Sequence, residues 1–167
     1  MITTTLFQVC EWLTQTSIGT AIRESDVLFP VIETVHVLGI TLLAGAAAIV
    51  DFRLLGYVLT EERVSTVAGK VLPVAWCGLT VMCASGVLLF WAKATAYYEN
   101  PAFQFKVLLL VLAGLNPLIF HATVYRRVAQ WDEGKTPVRA RAAAVVSLTL
   151  WSAIIIVGRA IAYIPRA

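Results

Sequence analysis

Charge is what this sequence is short of. Only 14% of its 167 residues are Asp, Glu, Lys or Arg, against about a quarter in a typical water-soluble domain. Histidine is scarcer still, with two residues, and cysteine has three. Each scarcity removes a class of explanation. A net charge of +3, with the basic residues spread between apolar runs, makes no nucleic-acid surface. Cys77 and Cys83 stand six apart in one apolar run. That is the wrong spacing for a CxxC pair and poor geometry for a disulfide along one helix, so the cysteines, Cys10 included, read as small buried apolar residues. There is no phosphate loop, nucleotide motif or nucleophile–base–acid triad, and nothing points to an enzyme. The opening MITTTLFQVCEWLTQ lacks the basic start and compact apolar core of a secretory signal.

What fills the chain is hydrocarbon. Hydrophobic residues make up 59% of it, and the mean hydropathy is +0.81. Four apolar segments, about 27–50, 71–92, 103–125 and 142–164, each approach the roughly 20 residues that cross a bilayer core. Lipid cannot satisfy backbone polar groups, so these segments are expected to be helices. Ser25-Asp26 with Pro30, Asn100-Pro101 and Thr136-Pro137 supply start signals for the first, third and fourth. Short connections make neighbours antiparallel. The predicted fold is all-α: a four-transmembrane-helix up-down bundle over 25–167. It is preceded by a short amphipathic interfacial helix within 1–24, where Leu6, Val9, Cys10, Leu13, Ile18 and Ile22 recur at roughly helical spacing.

The connections 51–70 and 126–141 hold eight basic residues. Fewer lie on the other side: Arg23, Lys93, Lys106 and Arg166, with Arg159 inside the last span. The positive-inside rule therefore predicts that the two basic loops are cytoplasmic and that both termini face outward. Trp91, Tyr97, Tyr98 and Tyr163 on one side, and Tyr125 and Trp131 on the other, read as interfacial belts.

Within the spans the ionisable residues are few enough to take singly. Glu33 and His36 are three apart and project from neighbouring positions of one helix face. Glu33 lies about five residues into the first span, roughly 8 Å deep, and Arg159 about five residues from the end of the fourth. Those two spans run in opposite directions, so the acid and the guanidinium are expected at one level and facing each other. Alone in lipid each would cost on the order of 3 kcal/mol. Ser152 and Tyr163 follow Arg159's face, and Lys93 and Lys106 stand at the rim. A second group, Asp51, Arg53, Asn116 and His121, gathers in the other leaflet. The structural readings are an Arg159 that snorkels, a Glu33–Arg159 clasp, and an Asp51–Arg53 pair anchoring a helix end at the headgroups.

Two histidines in a four-helix membrane bundle raise haem b. However, His36 and His121 lie about 12 to 15 Å apart along the membrane normal and so cannot clamp one iron. A haem on His36 alone, or one shared with Met82, is the version that fits. Glu-x-x-His occurs once, where di-iron bundles need two copies and two further carboxylates. The pattern thus predicts an outer-leaflet pocket of Glu33, His36 and Arg159, with Tyr163, Lys93 and Lys106. The pocket would bind a small ligand such as haem b or a quinone, in electron transfer or as part of a membrane complex. One alternative is an oligomeric transporter or proton-coupled channel using the same ionisable residues, with Gly39, Ala44, Gly45, Ala48, Gly78, Ser85 and Gly86 permitting close helix contact. The other is a purely structural membrane subunit. The expected partners are the lipid bilayer and a second copy or a larger complex, not nucleic acid.

The segments PVIETVHVLGITLLAG, DFRLLG, KVLPVAWCGL, FQFKVLLLVLAGLNPLIFH and LWSAIIIVGRAIAY span most of residues 23–164. Through them the chain resembles a family of small bacterial inner-membrane proteins of unknown function. The resemblance implies four membrane helices and a bacterial plasma-membrane location, and it brings no activity or ligand. The layout is also loosely similar to compact four-helix membrane cytochromes and copper-resistance membrane domains, from whose paired-haem pattern the histidines here depart.

Overall fold

The computed structural model describes residues 2–132, 134–161 and 163. Arg166 and the end of the fourth expected span lie outside them. Two short helices come first, α1 (Ile2–Gln15) and α2 (Ser17–Glu24). They are separated at Thr16, whose hydroxyl accepts from the Gly19 amide at 3.2 Å and caps α2. The four crossings are α3 (Leu28–Leu55), α4 (Val64–Ala92), α6 (Pro101–Thr123) and α7 (Val138–Ala160). A five-residue helix α5 (Ala94–Tyr98) lies before α6, and a 3-10 turn (Tyr125–Gln130) follows it. Among the described residues there is no strand.

The start signals act largely as expected. The Ser25 hydroxyl accepts from the Leu28 amide at 3.0 Å. Asn100 caps α6 through the amides of Ala102 (2.9 Å) and Phe103 (3.2 Å), with Pro101 in the first turn. α3 runs on past the apolar segment to Leu55 and stops at Gly56, whose φ of 83° is the left-handed conformation that favours glycine. α4 begins at Val64, ahead of its apolar segment, because a side chain from a distant loop caps it. Asp132 accepts from the Ser65 amide at 3.0 Å and from the Ser65 hydroxyl. An acid at a helix start satisfies a free amide and meets the positive end of the helix dipole.

Each crossing has a mean hydropathy of 1.8–1.9 over its most apolar stretch, and only 11–17% of that stretch is buried. Leu38, Trp76, Leu108, Leu118 and Ile156 all point outward. A water-soluble bundle buries such side chains, so the outward face is made for lipid. Cys77 and Cys83 belong to it. They are exposed, not buried, and only Cys10 is interior. Lipid is as apolar as a core, so the sequence could not tell the two settings apart.

α3 packs against α4 on one side and α7 on the other, and α6 packs on α7. Among the described residues no comparable seam joins α4 to α6. Their ends meet through stacked rings, Phe90 on Phe103 (5.7 Å between centroids) and Phe103 on Tyr97 (4.9 Å). The inward stripe of α7 is Ala140, Ala144, Ser147 and Ile154, a 4-3-7 spacing. That of α6 is Ala102, Leu109 and Ala113. The tightest seam is α3 on α4. A Cβ added at Gly78 would stand 2.6 Å from the Leu43 backbone nitrogen and 2.9 Å from the Gly39 carbonyl oxygen, and one at Gly39 would stand 2.9 Å from the Met82 nitrogen. Small residues that let backbones touch are how helices associate in lipid.

α1 and α2 lie over the terminal end of this bundle, against α4 and α5. Arg23 ties them down, donating to the Thr14 carbonyl at 2.8 Å and to the Ala92 carbonyl at 3.4 Å. Trp91 donates its indole N–H to Thr16 Oγ1 at 2.8 Å. Leu6, Val9 and Trp12 stay exposed along α1.

Two predictions follow from the seam and the cap. Gly78→Ala should cost about 1–3 kcal/mol through backbone overlap. Gly114→Ala, at a glycine with nothing within 4 Å, should be neutral or stabilising. Thermal unfolding in detergent separates them, and equal behaviour of the two variants refutes the role given to the contact. The second concerns Asp132. Burial acts to raise its pKa, but the Ser65 hydroxyl and amide, Arg63 and the Val64 amide outweigh burial and hold the carboxyl below the usual carboxylate range. A group depressed in the folded state stabilises above its unfolded value of about 4 and loses that contribution as pH falls through the folded value. The stability advantage of the native chain over Asp132→Asn should therefore be full at neutral pH and shrink on acidification below about pH 4.

Candidate functional site

His36 faces α4. Its Nδ1 lies 3.0 Å from Ser85 Oγ, and Ser85 is buried. The serine hydroxyl is itself 2.5 Å from the Val81 carbonyl oxygen, so its proton goes to that carbonyl. Nδ1 must then be the ring's protonated nitrogen, donating to Ser85 Oγ, and Nε2 keeps its lone pair. The ring also hydrogen-bonds the Met82 backbone. Gly86 makes this position of the ring accessible, since a Cβ there would stand 3.1 Å from His36 Cε1. The imidazole is thus held in one tautomer and one plane at lipid depth, eight residues into α3.

The charges around it differ from the sequence expectation. Glu33 and Arg159 are both exposed, and among the described residues no ion pair joins them. Ser152 and Arg159 on α7 are exposed, as is Tyr163 beyond the helix end. Arg159 sits 6.0 Å from the Tyr163 ring centre. The expected facing pair fails by one residue of helix phase, because Gly158 and not Arg159 continues toward α6. In the space Gly158 leaves lies Lys106, its Nζ 3.4 Å from where a Cβ would be. Lys106 is half-buried, four residues from buried Ala102 and three from buried Leu109. It is therefore the cation that enters the bundle, and its charge and that of Glu33 act on the His36 ring with opposite sign. A signal for this was present. Ala102, Lys106, Leu109, Ala113 and Asn116 make one 4-3-4-3 stripe in the sequence.

The rim closes over this group. Lys93 Nζ stands 3.9 Å above the Phe29 ring centre, a cation–π contact. Tyr97 lies in the aromatic stack between α4 and α6; burial foremost, and the Glu33 charge beside it, push its phenol up. Met82 is adjacent to His36 across α3 and α4, but these helices are in backbone contact at Gly39.

The four polar residues of the other leaflet do not form one site. Asp51 is 7% exposed and bonded to Ser147 on α7. Arg53 turns the other way, its Nε donating to the Glu62 carbonyl at 2.8 Å and pinning the α3–α4 loop. Asn116 donates to the Ala143 carbonyl of α7 at 3.1 Å. His121 is exposed, with its ring 4.5 Å from that of Tyr125. The described residues hold no cluster of three or more His, Cys, Asp or Glu able to bind a metal ion by themselves.

No curated protein and no solved structure matches the chain. A family model does, over residues 9–164, a range that takes in all four crossings, the His36–Ser85 contact and the Asp132 cap. The chain belongs to that family, the family of unknown function DUF6644.

Proposed function

We propose that the His36 site holds a haem b through Nε2 and that the protein serves electron transfer in a bacterial plasma membrane, alone or within a larger membrane complex. The observation that carries this reading is the fixed tautomer of His36. A histidine that ligates iron donates its other ring N–H to a neighbour, which fixes the ring and strengthens the ligand. His36 does so to Ser85, whose own proton is committed to Val81. The same tautomer weighs against an oxidised quinone, whose carbonyl needs a donor, while Nε2 offers only an acceptor. Lys106 and Lys93 supply positive charge for propionates at the terminal end. The α4–α6 side, closed only near that end by Phe90, Phe103 and Tyr97, gives a plate-shaped ligand a route from lipid.

The test is the absorbance of protein purified after haem-replete expression. A Soret band is expected, lost in His36→Ala and weakened or shifted in Ser85→Ala. Retention of the full band in His36→Ala overturns the assignment, as does absence of any band after titration with haemin. A quinone recovered from the purified protein and absent from His36→Ala would replace haem with the reduced quinone as ligand.

A further inference from the structure

α6 carries an outward apolar face down to the loop end of the bundle. Leu108, Val111, Leu112, Leu115, Leu118 and Ile119 are all exposed. Ala122 and Thr123 stand four residues after Leu118 and Ile119, so they continue that face. Together with Arg126 and Arg127 they line a hollow of about 430 Å³. Adjacent residues of one helix point about 100° apart, yet both arginines border this space, and the chain leaves helical conformation at Arg127 (φ −110°, ψ 21°). Charge therefore meets hydrocarbon along one line of the helix. From Leu108 to Ile119 the helix rises about 16 Å, against about 15 Å for half of a hydrocarbon core. Tyr125, whose ring lies 4.5 Å from that of His121, stands where amphipathic rings mark the membrane boundary.

Neither guanidinium is used within the protein. Arg126 and Arg127 are exposed, and among the described residues they make no hydrogen bond and no ion pair. Asp132 is committed to Ser65, Glu62 to Lys70 and Asp51 to Ser147. Thr123 keeps its hydroxyl proton on the Ile119 carbonyl at 2.6 Å, which leaves the guanidiniums as the charged donors of the hollow. The carbonyl end of α6 attracts cations through its dipole, but no carbonyl holds either arginine. The whole connection leans the same way, with five basic residues in 126–141 against two acids. Two guanidiniums above an apolar strip, with no protein anion to meet them, suit a ligand that is anionic at one end and hydrocarbon below it.

We propose that this hollow binds one anionic phospholipid. Its phosphate is held by Arg126 and Arg127, and an acyl chain runs along Ile119, Leu118 and Leu115 toward the bilayer centre. Guanidiniums grip phosphate oxygens through paired N–H donors, and basic pockets at helix ends select charged headgroups. A free phosphate offers the same oxygens but leaves the apolar strip unused, so the lipid is the occupant that meets both parts. Arg139 and Arg141 are exposed at the same end of the bundle, on α7, and do not line the hollow. The site lies at the opposite end of the bundle from His36 and does not depend on what His36 binds.

Native mass spectrometry of the full chain in detergent tests this, with phosphatidylglycerol and phosphatidylcholine of identical acyl chains as probes. One phosphatidylglycerol should be retained in preference to phosphatidylcholine. Arg126→Gln with Arg127→Gln should lower that preference about tenfold or more, whereas Arg139→Gln with Arg141→Gln should leave it. No preference in the native chain overturns the proposal. Equal losses in the two double variants do so as well, since the attraction would then be a diffuse basic surface. If the glutamine pair fails to fold, Arg126→Lys with Arg127→Lys keeps both charges and loses the fork. That pair should still weaken retention several-fold, and unchanged retention overturns the assignment. Displacement of the lipid by millimolar inorganic phosphate also overturns it, because the guest would then be a soluble anion.

Discussion

Backbone contact between α3 and α4 at Gly39 and Gly78 is the constraint on which the rest depends. In lipid there is no hydrophobic gain in pressing two helices together, so association rests on packing and on hydrogen bonds across the contact. With no Cβ at either glycine the helices approach until carbonyl and amide atoms of one meet the other. That approach brings Ser85 within reach of an imidazole, and at a larger separation His36 would be an unsatisfied polar group in hydrocarbon. The seam is thus both the strongest packing in the molecule and the frame of its most specific polar contact.

Many of the remaining polar groups are paired across a helix boundary or carried to an edge. Asn116 ties α6 to α7 and Asp51 ties α3 to α7. Arg53 and Asp132 tie the loops, and Lys93 is laid on an aromatic ring. Glu33, Arg159 and His121 are turned outward. Asp51 stands out from this background because one of its buried carboxylate oxygens, Oδ2, has no partner among the described residues.

The four crossings and their antiparallel order were legible because the signal, twenty or so apolar residues between polar turns, is what the bilayer itself demands. The caps at Ser25 and Asn100 were legible for the same local reason. Helix phase was harder. Depth can be counted in residues, and it put Glu33, His36 and Arg159 near one level. Facing, however, turns by 100° per residue, so an error of one position exchanged the outward Arg159 for the hollow at Gly158 and hid Lys106. The Asp132 cap was out of reach for another reason. Its partner, Ser65, lies 67 residues away, and no local pattern announces a contact made by two loops.

α3 and α4, at 28 and 29 residues, are each about 42–44 Å long, well beyond a hydrocarbon core of about 30 Å. Unless steeply tilted they carry their loop ends out through the headgroups. The start of α4, with Ser65 and its acid clasp, then stands in water while the glycine seam stays in oil. The molecule is thereby divided into a submerged frame, indifferent to the composition of the aqueous phase, and an emergent latch that acid or soluble reagents can open.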